Sequence, residues 1–310
     1  MRAVLFMDCS FKKEITMNKM LSNKKAILIF IFPSLLIFLF VVVTSIGMSF
    51  YYSLTEWDGI TKKMFVGLDN YKSLFIHNTD GFVAALKNSL LLAGLSVIGE
   101  LVPATALAII LARGVKGEGF FRTVFFVPVL LSSVVLGQLW GMIYNPTYGM
   151  LNSIGMKLGF LNKAVAWLGN PDTALLCAFV VVIWQYIGYH MLLIYSGVKR
   201  IPQDIFEAAE IDGATRFQTA VRIIIPLILP TIKTSMVLAV IGSLKIFDLI
   251  YVLTGGGPNH ATEVASTLMY TNIFKKNLYG YGSSMAIFIV IECLVFTVLI
   301  NLWKPKQYTY

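Results

Sequence analysis

Charge is what this sequence lacks most. Only 13% of its 310 residues are charged, against about 25% in a typical soluble domain. Cysteine is nearly absent. Cys9, Cys177 and Cys293 lie far apart and match no metal-ligand spacing, so neither a disulfide framework nor a metal site is expected. Histidine is equally sparse. His77, His190 and His260 are isolated from one another, which leaves no two-histidine motif and no base beside a nucleophile for an enzyme within the chain. The Gly255-Gly256-Gly257-Pro258 run lacks the Gly-Lys-Ser/Thr ending of a phosphate loop, so it reads as a turn. Internal repeats and low-complexity tracts are missing too.

Apolar residues, in contrast, make up 57% of the chain and gather into long runs. A helix needs about 20 apolar residues to cross the hydrocarbon core. Six stretches qualify: Ala26–Phe50, Leu86–Ala112, Phe120–Tyr144, Ala174–Val198, Leu227–Leu253 and Tyr281–Trp303. Backbone groups in lipid must be paired within the segment, so each run predicts a helix and the fold class is all-α and polytopic. The first run is too long for a signal peptide and ends in an aromatic belt, Phe50-Tyr51-Tyr52, so it is expected to be an uncleaved span. Met7, Met17 and Met20 leave the start codon open.

The net charge of +9 does not form a continuous basic face, so no nucleic-acid partner is expected; the cations instead orient the chain in a bilayer. The N-terminal tail, the connections after the second and fourth runs, and the C-terminus hold 15 Lys and Arg, against 8 in the other connections. Both termini should therefore face the cytoplasm. The expected organisation is a cytoplasmic tail (1–25), a first span (26–50), an external loop (51–85), a five-span core (86–303) carrying a cytoplasmic loop at 199–226, and a short cytoplasmic end (304–310). The external connections, rich in Trp, Tyr, Gly and Asn, read as short ordered loops.

That cytoplasmic loop is the most informative stretch. Pro202 suits a helix start, Asp204 suits the positive end of the helix dipole, and Gly213 can supply a left-handed stop. Taken alone it could be an amphipathic linker on the membrane surface. However, Glu207-Ala208-Ala209, Gly213, Ile223, Ile225 and Pro226 closely resemble the EAA loop of binding-protein-dependent ABC importer permeases. The one departure is Ile225 in place of Leu, a volume-conserving change. Phe247–Pro258 resembles the end of the fifth span in carbohydrate-type permeases, and Tyr279–Ser284 resembles the next element of that group. The likeness runs from about Leu86 to Trp303 and is weaker through the first span.

The resemblance implies a type I importer fold in a bacterial cytoplasmic membrane. It implies a second permease subunit, often a different chain, and two copies of a cytoplasmic ATPase that binds ATP and Mg. It also implies an extracytoplasmic solute-binding protein and a carbohydrate cargo. No cofactor belongs to this chain itself. The resemblance assigns Glu207, Ala208, Ala209, Asp212 and Gly213 to ATPase contact. The alternatives are the same transporter class with a non-sugar solute, and an intramembrane enzyme.

Polar side chains within spans are costly and face the bundle interior or a water-filled path. A sugar site wants amides, hydroxyls and aromatic faces. Gln185, Tyr186 and Ser243 fit and match lining positions of the family; Ser132 and Ser133 are further candidates. Small polar residues also pack helices, which is the plainer reading of each. Lys245 and Asp248, three residues apart, are expected to share a helix face as an intramembrane ion pair, with substrate contact as the sharper reading. His190 is expected to make an interhelical hydrogen bond. Glu100 and Glu292 are expected to be structural, interfacial or snorkelling groups.

Overall fold

The computed structural model describes residues 24–304, with side chains from Leu28 onward. The expected tails, Cys9 and the cations before Lys24 lie outside the described residues. The chain divides into two compact units, one ending at Tyr52 and the other beginning at Ser53.

The first unit contains α1 (24–53) up to Tyr52. It runs Lys24–Phe38, widens into a π-helical turn at Leu39–Val43, and continues as Thr44–Ser53. Pro33 sits inside it without ending it. Side-chain hydroxyls return to the backbone near the widening: Thr44 Oγ1 donates to the Leu39 carbonyl at 3.1 Å and Ser45 Oγ to that of Val41 at 2.6 Å. Such local partners let an irregular turn persist where no water reaches.

The second unit opens with a small antiparallel hairpin, β1 (Thr55–Glu56) and β2 (Met64–Phe65), then α2 (69–77). Four long helices follow among shorter ones: α3 (Phe82–Ala112), α7 (Pro171–Val198), α9 (Arg216–Leu244) and α12 (Tyr279–Leu302). With α1, five helices are each long and apolar enough to cross a bilayer.

The third expected span is corrected. Phe120–Tyr144 is not one rod but two helices, α4 (Glu118–Leu130) and α5 (Ser133–Ile143), bent by 98°. Counted as one span, the pair is the sixth crossing. Pro128 removes a donor near the end of α4, Leu131 and Ser132 are extended, and Ser132 Oγ accepts from the Val135 amide to start α5 afresh. The fifth expected span shifts as well. A capping box of Thr215 and Gln218 starts α9 eleven residues before Leu227, and the helix ends at Leu244 instead of Leu253. A separate short helix, α10 (Asp248–Leu253), follows the break. The widened turn Thr219–Ile224 precedes Pro226, whose ring excludes a regular helical bond at that level.

The remaining short helices are α6 (Met150–Lys157), α8 (Gln203–Ile211) and α11 (265–275). The α6–α7 connection is fixed by buried Asn152, whose carbonyl oxygen accepts from the Val165 amide (3.1 Å) and the Trp167 indole (2.9 Å).

Two glycines set how closely elements approach. A Cβ on Gly188 would lie 1.8 Å from the Phe125 carbonyl oxygen, so α7 meets α4 backbone to backbone. A Cβ on Gly280 would lie 1.9 Å from the Thr55 carbonyl oxygen, which seats α12 against β1.

Candidate translocation cavity and the α8 loop

The α8 loop is built almost wholly by local rules. Pro202 is the N-cap, with Asp204 in the first turn. The helix stops at a Schellman motif: the Gly213 amide donates to the Glu210 carbonyl (3.1 Å) and the Ala214 amide to that of Ala209 (2.9 Å). Gly213 sits at φ +72° with nothing within 4 Å of a would-be Cβ. Its glycine is therefore required by backbone conformation and not by crowding.

The helix has two faces. Ile201, Ile205 and Phe206 pack onto a cluster that includes Ile109, Leu111, Ile194, Ile224 and Ile228 of α3, α7 and α9. Glu207, Ala208, Asp212 and Gly213 face outward, beside Ile211 (86% exposed) and Phe217 (76% exposed). Ala209, by contrast, is buried at 4% exposure. Two further features hold the loop to the bundle. Arg113 Nη2 donates to the Arg216 carbonyl at 2.7 Å. Nearby, the Tyr195 hydroxyl donates to Glu118 Oε1, with the Lys199 ammonium 3.8 Å from Oε2, which joins the start of α4 to the end of α7.

Deeper in the bundle lies a cavity of about 360 Å³. Glu100 of α3, Ser133 of α5, Gln185, Tyr186 and His190 of α7, and Ser243 of α9 line it, with Lys245, Phe247 and Asp248 from the break between α9 and α10. Beside it, His190 bridges three helices. Its Nε2 lies 3.1 Å from Glu100 Oε2 and its Nδ1 2.7 Å from Ser235 Oγ. All three residues are at most 2% exposed. With Nε2–H donating to the carboxylate, Nδ1 accepts from the serine hydroxyl, and each buried polar group has a partner. Ser243 Oγ lies 2.8 Å from Ser96 Oγ, which links α9 to α3 one level further along.

A model of the family described as "Binding-protein-dependent transport system inner membrane component" matches residues 104–307. A probable ABC transporter permease protein of Pyrococcus horikoshii is 38% identical over 282 residues, which cover 90% of this chain and 96% of that protein. This chain belongs to that permease family. The multiple sugar-binding transport system permease protein MsmF of Streptococcus mutans is 37% identical over 251 residues, covering 80% of this chain and 84% of that one. The same fold occurs in the crystal structure of a bacterial ABC transporter involved in the import of the acidic polysaccharide alginate. It has a TM-score of 0.78 at 24% identity and covers 93% of this chain and 97% of the other. The protein is thus a polytopic permease subunit of an ABC importer, with the type I importer fold.

Of the five residues expected along the permease path, four line the cavity: Ser133, Gln185, Tyr186 and Ser243. Ser132 does not, because its hydroxyl is committed to capping α5. Gln185 is 5% exposed, and its side-chain amide makes no hydrogen bond among the described residues. Tyr186 is 38% exposed. The Lys245–Asp248 ion pair is corrected. α9 ends at Leu244 and α10 begins at Asp248, so the two residues do not share a helix face, and no ion pair forms between them. Both contribute separately to the cavity wall.

His190 makes the interhelical contact expected of it, and Glu100 is its partner at 3.1 Å. Glu292 of α12 is 7% exposed, with Oε2 unpartnered among the described residues. Ser96 and Ser235 were not singled out from the sequence. Helical spacing carried the signal: Ser96 with Glu100, Tyr186 with His190, and Ser235 with Ser243 stand four or eight residues apart, so each pair shares a face.

Proposed function

We propose that this permease imports a sugar and supplies half of a translocation pathway whose energy comes from a separate ATPase. The observation that carries the reading is the outward face of α8. Glu207, Ala208, Asp212 and Gly213 stand there beside exposed Ile211 and Phe217, on a helix whose other face is anchored to three spans. Small residues beside exposed apolar ones suit close docking of another protein. In this reading α8 is the coupling helix, and both termini lie on its side of a bacterial cytoplasmic membrane, in keeping with the distribution of Lys and Arg.

The partners are a second permease, most simply a different chain, two copies of an ABC ATPase holding ATP and Mg, and an external solute-binding protein. Closure of the ATPase pair on ATP draws the coupling helices together and shifts the cavity from inward to outward access. The cargo assignment rests on the cavity, where the Gln185 amide is uncommitted and Tyr186 offers a ring and a hydroxyl. The likeness to a permease named for multiple sugars supports it. Lys245 and Asp248 in the cavity wall favour one second reading, a zwitterionic solute such as an amino acid.

The test has two parts. A tagged chain is purified from detergent-solubilised native membranes and its companions identified by mass spectrometry. The purified assembly is then reconstituted with its binding protein and offered labelled xylose, maltose, maltotriose, raffinose and glutamine. Recovery of an ATPase and a second permease with uptake of a sugar supports the proposal. Uptake of glutamine alone favours the second reading. A folded chain that comes alone overturns both.

A further inference from the structure

Four aromatic rings form a continuous cluster at the end of the cavity away from α8. Phe247 stacks on Tyr251 with ring centres 5.1 Å apart and planes 21° from parallel. Tyr270 of α11 lies 5.0 Å from Phe247, 5.1 Å from Tyr251 and 5.0 Å from Phe274. Phe247 itself lines the cavity, and the other three rings adjoin it in series.

The cluster is not a closed core. Phe274 is 62% exposed, and Phe247, Tyr251 and Tyr270 are half-buried. Neither tyrosine hydroxyl is hydrogen-bonded among the described residues. The Lys275 ammonium stands 5.2 Å from the Tyr251 ring centre, which places an exposed cation beside the cluster. Aromatic residues at a membrane end commonly serve as an interfacial belt. Direct continuity with the cavity through Phe247 sets this group apart.

The geometry points to a stacking subsite for a pyranose ring, made by Phe247, Tyr251, Tyr270 and Phe274 at the outer mouth of the cavity. This assignment rests on the sugar reading. A pyranose has one face of C–H groups and a rim of hydroxyls, so it suits an aromatic face flanked by free phenol hydroxyls and an ammonium. A chain of sugars could hold one ring here while the next reaches Gln185 and Tyr186. The subsite should therefore favour longer saccharides.

The experiment uses the complete importer in proteoliposomes with labelled xylose, maltose and maltotriose. Tyr270→Leu and Phe274→Leu are each compared with wild type and with Tyr270→Phe. The expected result is a half-saturation concentration raised about three- to tenfold for maltotriose, a contact loss of aromatic size. The shift is smaller for xylose, and the phenylalanine variant stays near wild type. Co-purification of the ATPase and second permease is measured for each variant. Wild-type uptake of a sugar with unchanged half-saturation in both leucine variants overturns the subsite and leaves the sugar reading standing. Loss of the second permease from the leucine variants makes the rings a subunit interface and overturns the subsite too. If wild type carries none of these three sugars nor raffinose, the sugar reading fails and the subsite fails with it.

Discussion

The α8 loop and the cavity are held together in opposite ways. The loop is contiguous in sequence, and its shape follows from a proline start, a Schellman stop and a capping box between Pro202 and Gln218. The cavity draws Glu100, Ser133, Gln185 and Ser243 from four helices that meet only after folding. Changes in the loop should therefore disturb coupling and spare the bundle. Changes where helices cross should disturb the bundle itself.

Gly188→Ala should give the largest effect. A Cβ 1.8 Å from the Phe125 carbonyl oxygen must push α7 off α4, at a cost of at least about 3 kcal/mol. Folded yield and thermal inactivation of the detergent-purified chain should both fall sharply. A normal melting temperature would mean that this crossing is not tightly constrained.

His190→Ala follows, because it leaves the Glu100 carboxylate buried without its partner, with an expected loss of about 3–5 kcal/mol. The double variant Glu100→Leu with His190→Leu should recover much of it. A thermal double-mutant cycle checks this, and additive losses would deny the pairing.

Gly213→Ala tests the other side of the comparison. Nothing crowds the site, so only the left-handed backbone resists, by about 1–2 kcal/mol. Membrane insertion and melting of the bundle should stay near wild type while ATP-driven uptake drops. A bundle destabilised as much as by Gly188→Ala would erase the distinction between the two regions.

The smallest effect is local to the β1–β2 turn. The Asp58 carboxylate accepts from the amides of Ile60 (2.9 Å) and Thr61 (2.7 Å) and from the Thr61 hydroxyl (2.7 Å). These bonds lower its pKa from 3.8 to about 2. A depressed carboxylate pKa means the turn's contribution is complete above the ordinary carboxylate range and lost as pH falls through about 2. Hydrogen exchange at the Ile60 and Thr61 amides should stay protected down to pH 3 and open below it (about one unit above the shifted pKa). Asp58→Asn should flatten that dependence.

The same contrast explains what could be read from the sequence. Hydropathy located α3, α7 and α12 within a few residues, because length and apolarity decide whether a segment crosses a bilayer. It could not see the bend between Leu130 and Ser133, since the apolar run continues through a break made by Pro128 and the Ser132 cap. The same blindness extended α9 across Lys245 to Leu253 and produced the ion pair that does not form. Around α8, the Pro202 start and the Gly213 stop were legible because the loop is local. The burial of Ala209 was not, because it is set by the folded bundle.

One measurement reaches the central claim most directly. ATP hydrolysis and sugar uptake are recorded side by side in proteoliposomes of the complete importer, for wild type, Glu207→Ala and Gln185→Leu. The account predicts that Glu207→Ala loses both uptake and the stimulation of hydrolysis by loaded binding protein. It predicts that Gln185→Leu loses uptake but keeps that stimulation. Normal uptake by Glu207→Ala, from a correctly inserted and assembled complex, would contradict it.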